Sequence, residues 1–359
     1  MSAGSHRNAM LLVDALRDPA TTARLDADGW NALIAMARAE QLIGTLAFRL
    51  DGQATPAKVA EIMGDAKVQA EYQRHSALWE ADSARRALAG VAGKLILMKG
   101  TAYAAARLDA ATGRSIGDLD IMVAKQELPA VEAALLDAGW EWVKQNAYDD
   151  AYYRQWMHEL PPLIHRERDR MIDVHHTILP LTARPKPDAA AMIDAAMTLE
   201  PAVERRAMPR HRGGKGGLHV LAPADMVCHC AVHLFADGDL SGGLRNLWDI
   251  DRLVRQFADA PNFTDSLHLR AQRHGVGEAV ARALRLSRTL YGTPVDPELA
   301  GKGNWRDMLF VRRLLARDGN GRQTRSFTRL GFYVRGHLLR MPLNMLIPHL
   351  WTKWRKDSI

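Results

Sequence analysis

Two short apolar runs, each next to ionisable residues, constrain the fold of this chain more than any other feature. Residues 95–98 and 119–123 read as buried strands, and the small residues of 101–108 between them favour a helix. Asp118 and Asp120 stand at alternate positions at the start of the second run. Because side chains alternate along a strand, both carboxylates project from the same face, roughly 6–7 Å apart.

Two carboxylates this close repel each other when both are ionised, unless a positive charge lies between them. Mg²⁺ with oxygen ligands is one such charge. The alternative is a solvated strand face whose ion pairs come from Lys99 and Arg114. A third acid, Asp173, stands alone among apolar neighbours in the strand-like run 171–178. A buried acid without a partner is costly, so three such acids favour a two-metal phosphoryl-transfer site.

At these residues the chain resembles the uncharacterised nucleotidyltransferase family of the polymerase β-like nucleotidyltransferase superfamily. The matching positions are, in chain order, Lys99-Gly100, Arg114, Asp118-Leu119-Asp120 and Asp173-Val174-His175. The wider superfamily has Gly-Ser or Gly-Gly at the start of the first helix. Gly100-Thr101 occupies that place here, with Ser115 as a replacement for the hydroxyl. The resemblance covers roughly residues 30–260.

The resemblance implies an enzyme that moves a nucleoside monophosphate from an NTP to an acceptor and releases pyrophosphate. Asp118 and Asp120 would hold Mg²⁺, with Mn²⁺ as an alternative, and Asp173 would complete the site and help to deprotonate the acceptor. The predicted nucleotide-binding residues are Lys99, Gly100, Thr101, Arg114 and Ser115. His175 and His233 would lie next to the metal-binding carboxylates and orient them without binding the metal.

Two other functions stay open from the residues alone. One is a protein of the same fold that binds a nucleotide or a partner without turnover, although three convergent acids have no use in such a protein. The other is a metal-dependent phosphohydrolase, which usually needs His-Asp clusters that this chain lacks in series.

The predicted fold is α/β (α+β), with a small mixed-sheet core between helical parts. We expect an N-terminal helical region over 1–91, the core over 92–220, a helical domain over 221–323 and a basic amphipathic tail over 324–359. Asp26 or Asp28 is the expected cap of an early helix, and a long helix is expected from residue 57 to 89.

Within the core, a helix over 126–137 and a strand over 140–143 are expected to follow the Asp118 strand. The aromatic segment 146–158 is predicted to be an edge strand or a flap over the site. Residues 163–166 and 171–178 read as a hairpin, which places Asp173 on a strand antiparallel to its predecessor in a mixed sheet.

In the helical domain, His229 and His233 share a helix face at the spacing of zinc ligands. Cys228 and Cys230 lie about 200° apart around a helix and cannot both join that face. We therefore expect core cysteines rather than structural zinc. Arg245 and Asp249, one turn apart, are expected to pair with each other or with His233.

The net charge of +7 over 359 residues favours anionic partners, and the basic stretch 205–215 suggests an anionic acceptor. A solvated loop is the alternative for that stretch. Two cysteines suit a reducing compartment, and no apolar run is long enough for a transmembrane segment, so a cytoplasmic protein is expected. The tail is predicted either to contact an anionic membrane surface or to dock on the helical domain.

Overall fold

The computed structural model describes residues 3–143, 147–199, 217–236 and 239–340. Two regions singled out above fall outside these ranges. They are the basic stretch 205–215 and the part of the tail beyond residue 340.

The N-terminal part of the described chain is helical, as the predicted fold class expects, and it contains four α-helices. They are α1 (Ala3–Arg17), α2 (Ala27–Ala39), α3 (Ile43–Arg49) and α4 (Ala57–Ala87). Asp26 is the N-cap of α2, where its carboxylate accepts a hydrogen bond of 2.9 Å from the Gly29 amide. The long helix α4 follows Pro56, because a proline ring suits the start of a helix and not its interior.

Seven described strands form one mixed sheet in the order β3-β4-β5-β2-β1-β7-β6. The strands are β1 (Leu95–Leu97), β2 (Leu119–Met122), β3 (Trp140–Trp142), β4 (Leu163–His165), β5 (Met171–His175), β6 (Met197–Thr198) and β7 (Leu218–Val220). β5 runs antiparallel to β4 and parallel to β2. The predicted mixed sheet and the predicted direction of the Asp173 strand are therefore confirmed.

In the described ranges, four α-helices connect the strands of the sheet. They are α5 (Lys99–Ala105), α6 (Leu128–Asp137), α7 (Ala147–Trp156) and α8 (Ala189–Ala195). The edge-strand prediction for 146–158 is wrong, since most of this segment is α7. Arg154 bonds Asp150 one turn earlier and also reaches Glu132 on α6, and these contacts stabilise a helix.

The C-terminal part of the described chain is helical, as predicted. Its helices are α9 (Pro223–Ala236), α10 (Gly243–Phe257), α11 (Phe263–Arg273), α12 (Gly277–Tyr291), α13 (Pro297–Ala300), α14 (Trp305–Leu314) and α15 (Ser326–Arg340). α9 packs against α10 and α11. Cys228 and Cys230 on α9 are free and buried, which confirms them as core residues.

One continuous apolar cluster joins the N-terminal helices, the sheet and the C-terminal helices. β1 and β2 lie in its middle, where Ile96 and Ile121 are fully buried. A strand buried on both faces reads as an unbroken apolar run, which explains the sequence of β1. In the described ranges, none of the helices has the length and apolar character needed to cross a membrane.

Candidate active site

The three predicted acids meet at one place on the sheet. Asp120 on β2 and Asp173 on β5 are direct neighbours across the two parallel strands. Asp118 comes two residues before Asp120 and shares its face. One carboxylate oxygen of each residue lies within 4.8 Å of the other two. Asp120 is buried, Asp173 is half-buried and Asp118 is exposed, so the group opens towards solvent on one side.

One carboxylate oxygen of Asp120 accepts hydrogen bonds from two side chains. Lys99 Nζ donates to Asp120 Oδ1 at 2.6 Å, and His175 Nε2 donates to it at 3.0 Å. Burial alone would raise the pKa of Asp120, but Lys99 and His175 hold it well below its ordinary value. Burial likewise opposes the charge of Lys99, but Asp120, Asp118 and Asp173 raise the pKa of Lys99. Both groups are therefore charged at neutral pH.

The backbone of Lys99 adopts an uncommon conformation next to this contact. Lys99 has a φ of +47°, a conformation that residues with a Cβ seldom adopt outside functional or tightly constrained positions. The turn from β1 into α5 places the ammonium over Asp120 at a backbone cost of order 1 kcal/mol.

Asp173 lacks the partners that Asp120 has. Within the described chain, neither Asp173 nor Asp118 makes a hydrogen bond or an ion pair through its carboxylate. Burial, together with the charges of Asp120 and Glu159, raises the pKa of Asp173 from 3.8 to about 7. Three all-oxygen side chains that repel one another are a donor set suited to a hard divalent cation such as Mg²⁺ or Mn²⁺. The residues present therefore fit the predicted metal.

Arg114, one of the predicted nucleotide-binding residues, forms an ion pair inside the protein. It is buried, and its guanidinium donates to Asp249 through Nε at 3.1 Å and through Nη2 at 2.9 Å. Its charge also lies 5.5 Å from the centre of the Tyr103 ring. The predicted pairing of Asp249 with Arg245 or His233 is wrong, because Arg114 reaches Asp249 from the sheet side.

The side chain of Arg245 lines a cleft beside the acids. It donates to Gln41 Oε1 at 2.7 Å and to the Ser115 carbonyl at 3.3 Å, both of which are neutral acceptors. Burial and the nearby Arg114 lower the pKa of Arg245 to about 10, so the side chain is still charged at neutral pH. Sequence reasoning missed Arg245 and Gln41 as site residues. The one-turn spacing to Asp249 favoured an internal ion pair instead, and nothing marked Gln41.

Lys99 and Arg245 line one cleft with two of the acids. The cleft encloses about 350 Å³, which lies in the range of small-molecule sites. Its walls are formed by Gln41, Lys99, Gly100, Arg114, Ser115, Ile116, Gly117, Asp118, Asp120 and Arg245. Thr101 is buried behind this wall, and within the described part of the chain its hydroxyl has no hydrogen-bond partner.

The two predicted supporting histidines lie at different distances from the acids. His175 contacts Asp120 directly and is buried. His233 lies beside His229 on α9, with 6.2 Å between the ring centres. Burial, together with the charges of Lys99 and His229, lowers the pKa of His233 well below its ordinary value. The ring is therefore neutral, and the charge of Lys99 in the site acts on it.

Gly100 is expected to be required for the Arg114–Asp249 contact. A Cβ at this position would overlap Arg114 Nη1, whereas a Cβ at Gly117 in the same cleft would meet nothing within 4 Å. Gly100→Ala should therefore displace a buried ion pair and lower the free energy of unfolding by about 3 kcal/mol. Gly117→Ala should change it by at most about 0.5 kcal/mol. Urea unfolding of both variants measures this, and equal losses would contradict the packing described here.

Comparison with known proteins identifies the family of the chain. No curated protein matches the chain. The sequence model of a family described as uncharacterised nucleotidyltransferases matches residues 26–292, which is well over half of the chain and includes all three acids, Lys99 and Arg245. The chain therefore belongs to the uncharacterised nucleotidyltransferase family.

Proposed function

We propose that this protein transfers a nucleoside monophosphate from an NTP to an acceptor hydroxyl in a reaction that depends on Mg²⁺ or Mn²⁺. The observation that carries the proposal is the convergence of Asp118, Asp120 and Asp173 beside a cleft lined by three cationic side chains. Family membership supports nucleotidyl transfer in general, and the site adds the proposed metal dependence.

The acids and the cations have separate tasks in this reaction. Asp118, Asp120 and Asp173 would hold divalent cations, whose chemistry is charge neutralisation at the transferring phosphate and activation of the attacking hydroxyl. Asp173 has no hydrogen-bond donor of its own, which suits it to accept the proton of that hydroxyl. Lys99 already bonds Asp120, so it fixes this ligand while its charge faces the triphosphate.

Arg245 is the proposed triphosphate clamp. Its planar guanidinium can bind two phosphate oxygens at once. Its hydrogen-bond acceptors, Gln41 and the Ser115 carbonyl, are neutral groups that a phosphate can replace. Ser115 and Gly100 line the same wall and would contact the phosphates from the loop side. Arg114 would act indirectly, since its bond to Asp249 fixes the loop that carries Ser115.

Arg245→Met is expected to weaken NTP binding by about tenfold to a hundredfold, the value of one or two charge-assisted hydrogen bonds. The free energy of unfolding should not fall, because a buried charge without a carboxylate partner contributes little to stability. Arg245→Lys keeps the positive charge but lacks the planar guanidinium, so its NTP affinity should lie between those of the wild-type protein and Arg245→Met. Titration calorimetry with Mg²⁺ present measures the affinities. An unchanged affinity for Arg245→Met would remove this residue from the site.

Two parts of the proposal concern partners. The basic stretch 205–215 favours an anionic acceptor, and the basic tail favours contact with an anionic membrane surface. In the described part of the tail, α15 exposes Phe327 and Leu330 to solvent, as an interfacial helix would.

Transfer itself is tested with NTPs labelled at either the α- or the γ-phosphate, incubated with pools of RNA, protein and small hydroxyl compounds. Nucleotidyl transfer moves only the α label to an acceptor and releases the γ label in pyrophosphate. Movement of the γ label to an acceptor would show phosphoryl transfer instead. Hydrolysis in every pool would favour the phosphohydrolase alternative.

A further inference from the structure

A second group of ligand-type side chains lies directly behind the three acids. His158, Glu159 and His175 each offer one ligand atom, and these atoms lie within 4.8 Å of one another. The side chain of His175 is 4% exposed, that of Glu159 17% and that of His158 21%. His175 thus has the acids on one side and this second group on the other.

The backbone fixes the three residues relative to one another. Glu159 and His175 form an antiparallel bridge, so their side chains leave the sheet on the same face. Two hydrogen bonds of 2.9 Å flank the bridge, from the Leu160 amide to the Val174 carbonyl and from the His176 amide to the His158 carbonyl. A site built on a paired backbone of this kind is preorganised.

Two ring nitrogens in this group have no hydrogen-bond partner among the residues that the structure describes. His175 Nδ1 is buried without a hydrogen-bond partner, although it lies 3.3 Å from Glu159 Oε2. His158 Nδ1 is also buried without a partner, and His158 Nε2 lies 3.7 Å from Glu159 Oε2. Buried polar atoms without partners are rare and call for an explanation such as a bound ion.

The tautomer of His175 explains why a cation suits this position. The carboxylate of Asp120 can only accept, so His175 Nε2 carries the hydrogen in their 3.0 Å bond. In a neutral ring, Nδ1 then presents a lone pair towards the carboxylate oxygen of Glu159. The lone pairs of His175 Nδ1 and Glu159 Oε2 then repel each other. A metal ion bound to both atoms would replace this repulsion with two attractive contacts.

We propose that His158, Glu159 and His175 bind a divalent transition metal of the zinc type, at a site distinct from the three acids. Two imidazoles and one carboxylate are a donor set that Zn²⁺ uses when it keeps a fourth position open. Mg²⁺ prefers oxygen ligands only, so the two neighbouring sites select different ions. Metal binding at this site needs no nucleotide, so it can be measured without the transfer reaction.

Asp120 accepts a hydrogen bond from the ring nitrogen of His175 that would not bind the metal ion. Metal-binding histidines usually donate their second ring N–H to a carboxylate, which fixes the tautomer and the ring orientation. A zinc-type ion on His175 Nδ1 would therefore hold the Nε2–H towards Asp120. The second site would position a ligand of the first.

The test is a Zn²⁺ titration of the full chain against a chromophoric chelator, with millimolar Mg²⁺ present to occupy the acids. The wild-type protein and Asp118→Asn should bind one Zn²⁺ with equal affinity. Glu159→Gln and His158→Gln should each bind it at least about tenfold more weakly. Thermal unfolding in chelator confirms that each variant is folded. Co²⁺ absorption of the wild-type protein should show nitrogen ligation, which does not depend on any variant.

Three results would overturn the assignment. One is a wild-type protein that binds no Zn²⁺ under these conditions. Another is Zn²⁺ binding that Asp118→Asn abolishes while Glu159→Gln and His158→Gln retain it, which would place the ion among the acids. The third is a Co²⁺ spectrum typical of oxygen ligands alone.

Discussion

Asp118→Asn is expected to lower the rate of nucleotidyl transfer by at least about a thousandfold, or about 4 kcal/mol of transition-state stabilisation. The change keeps the size of the side chain and removes one charged metal ligand. Asp118 is exposed and makes no hydrogen bond through its carboxylate in the described chain, so the fold does not depend on it. The free energy of unfolding should therefore change by at most about 0.5 kcal/mol.

Asp137→Asn is the matched control, because Asp137 is an exposed carboxylate at the end of α6, outside the site. Transfer of α-labelled nucleotide is measured for both variants beside the wild-type protein. Full activity of Asp118→Asn would show that the exposed acid is not a ligand. Asp120→Asn gives a less selective result, since it also removes the partner of Lys99 and His175 inside the protein.

Asp173→Asn is expected to abolish transfer and, at the same time, to stabilise the metal-free protein above neutral pH. The pKa of Asp173 is raised from 3.8 to about 7 in the folded protein, chiefly by burial and then by Asp120 and Glu159. Ionising this group in the folded chain therefore costs up to about 4 kcal/mol relative to the unfolded chain. An amide at this position removes that cost.

The pH dependence has a definite sign. Below pH 3.8 the carboxyl is protonated in both states and makes no difference to stability. Between pH 3.8 and about 7 the unfolded chain loses the proton while the folded chain keeps it, so wild-type stability falls as pH rises. Above pH 7 the loss is complete. The stability gain of Asp173→Asn over wild type should grow across this window and then level off.

Urea unfolding in chelator at pH 5 and pH 8 measures the gain. Added Mg²⁺ should stabilise the wild-type protein at pH 8 and have little effect on Asp173→Asn, since an ion that binds the folded state raises its stability. A variant that is less stable than wild type at pH 8 in chelator would show that Asp173 is satisfied without a metal.

Helix α10 contributes to the site in two ways. Asp249 fixes Arg114 under the cleft wall, and Arg245, one turn earlier, reaches into the cleft itself. Because both residues leave the same helix, a shift of α10 would move the cleft wall and the clamp together. The C-terminal helices are therefore part of the proposed active site and more than a support for the sheet.

The acids were predictable from the sequence because they follow local rules. Alternation along β2 places Asp118 and Asp120 on one face, and an isolated acid in an apolar run marks Asp173. The strands that carry them were predicted to within one residue for β2 and three residues for β5, since buried strands have a clear pattern. The predicted domain boundaries, at residues 91/92, 220/221 and 323/324, remain a prediction.

The roles of the two arginines were not predictable in the same way. Arg114 and Asp249 are 135 residues apart, and their contact depends on how α10 packs against the loop before β2. Local spacing favoured Arg245 as the partner of Asp249, and only the tertiary arrangement decides between the two. Helix α7 was missed because an aromatic run of mixed polarity resembles a strand, while its ion pairs with Glu132 are visible only in the fold.

Titration calorimetry with each of the four NTPs, on the wild-type protein and on Asp118→Asn, tests the proposed metal–triphosphate site most directly. The proposal predicts micromolar binding of at least one NTP that requires Mg²⁺, disappears in chelator and is lost in the folded variant. Failure of all four NTPs to bind the folded wild-type protein in Mg²⁺ would contradict it. So would binding that neither chelator nor Asp118→Asn affects, and this second result would favour a nucleotide-binding protein without metal-dependent turnover.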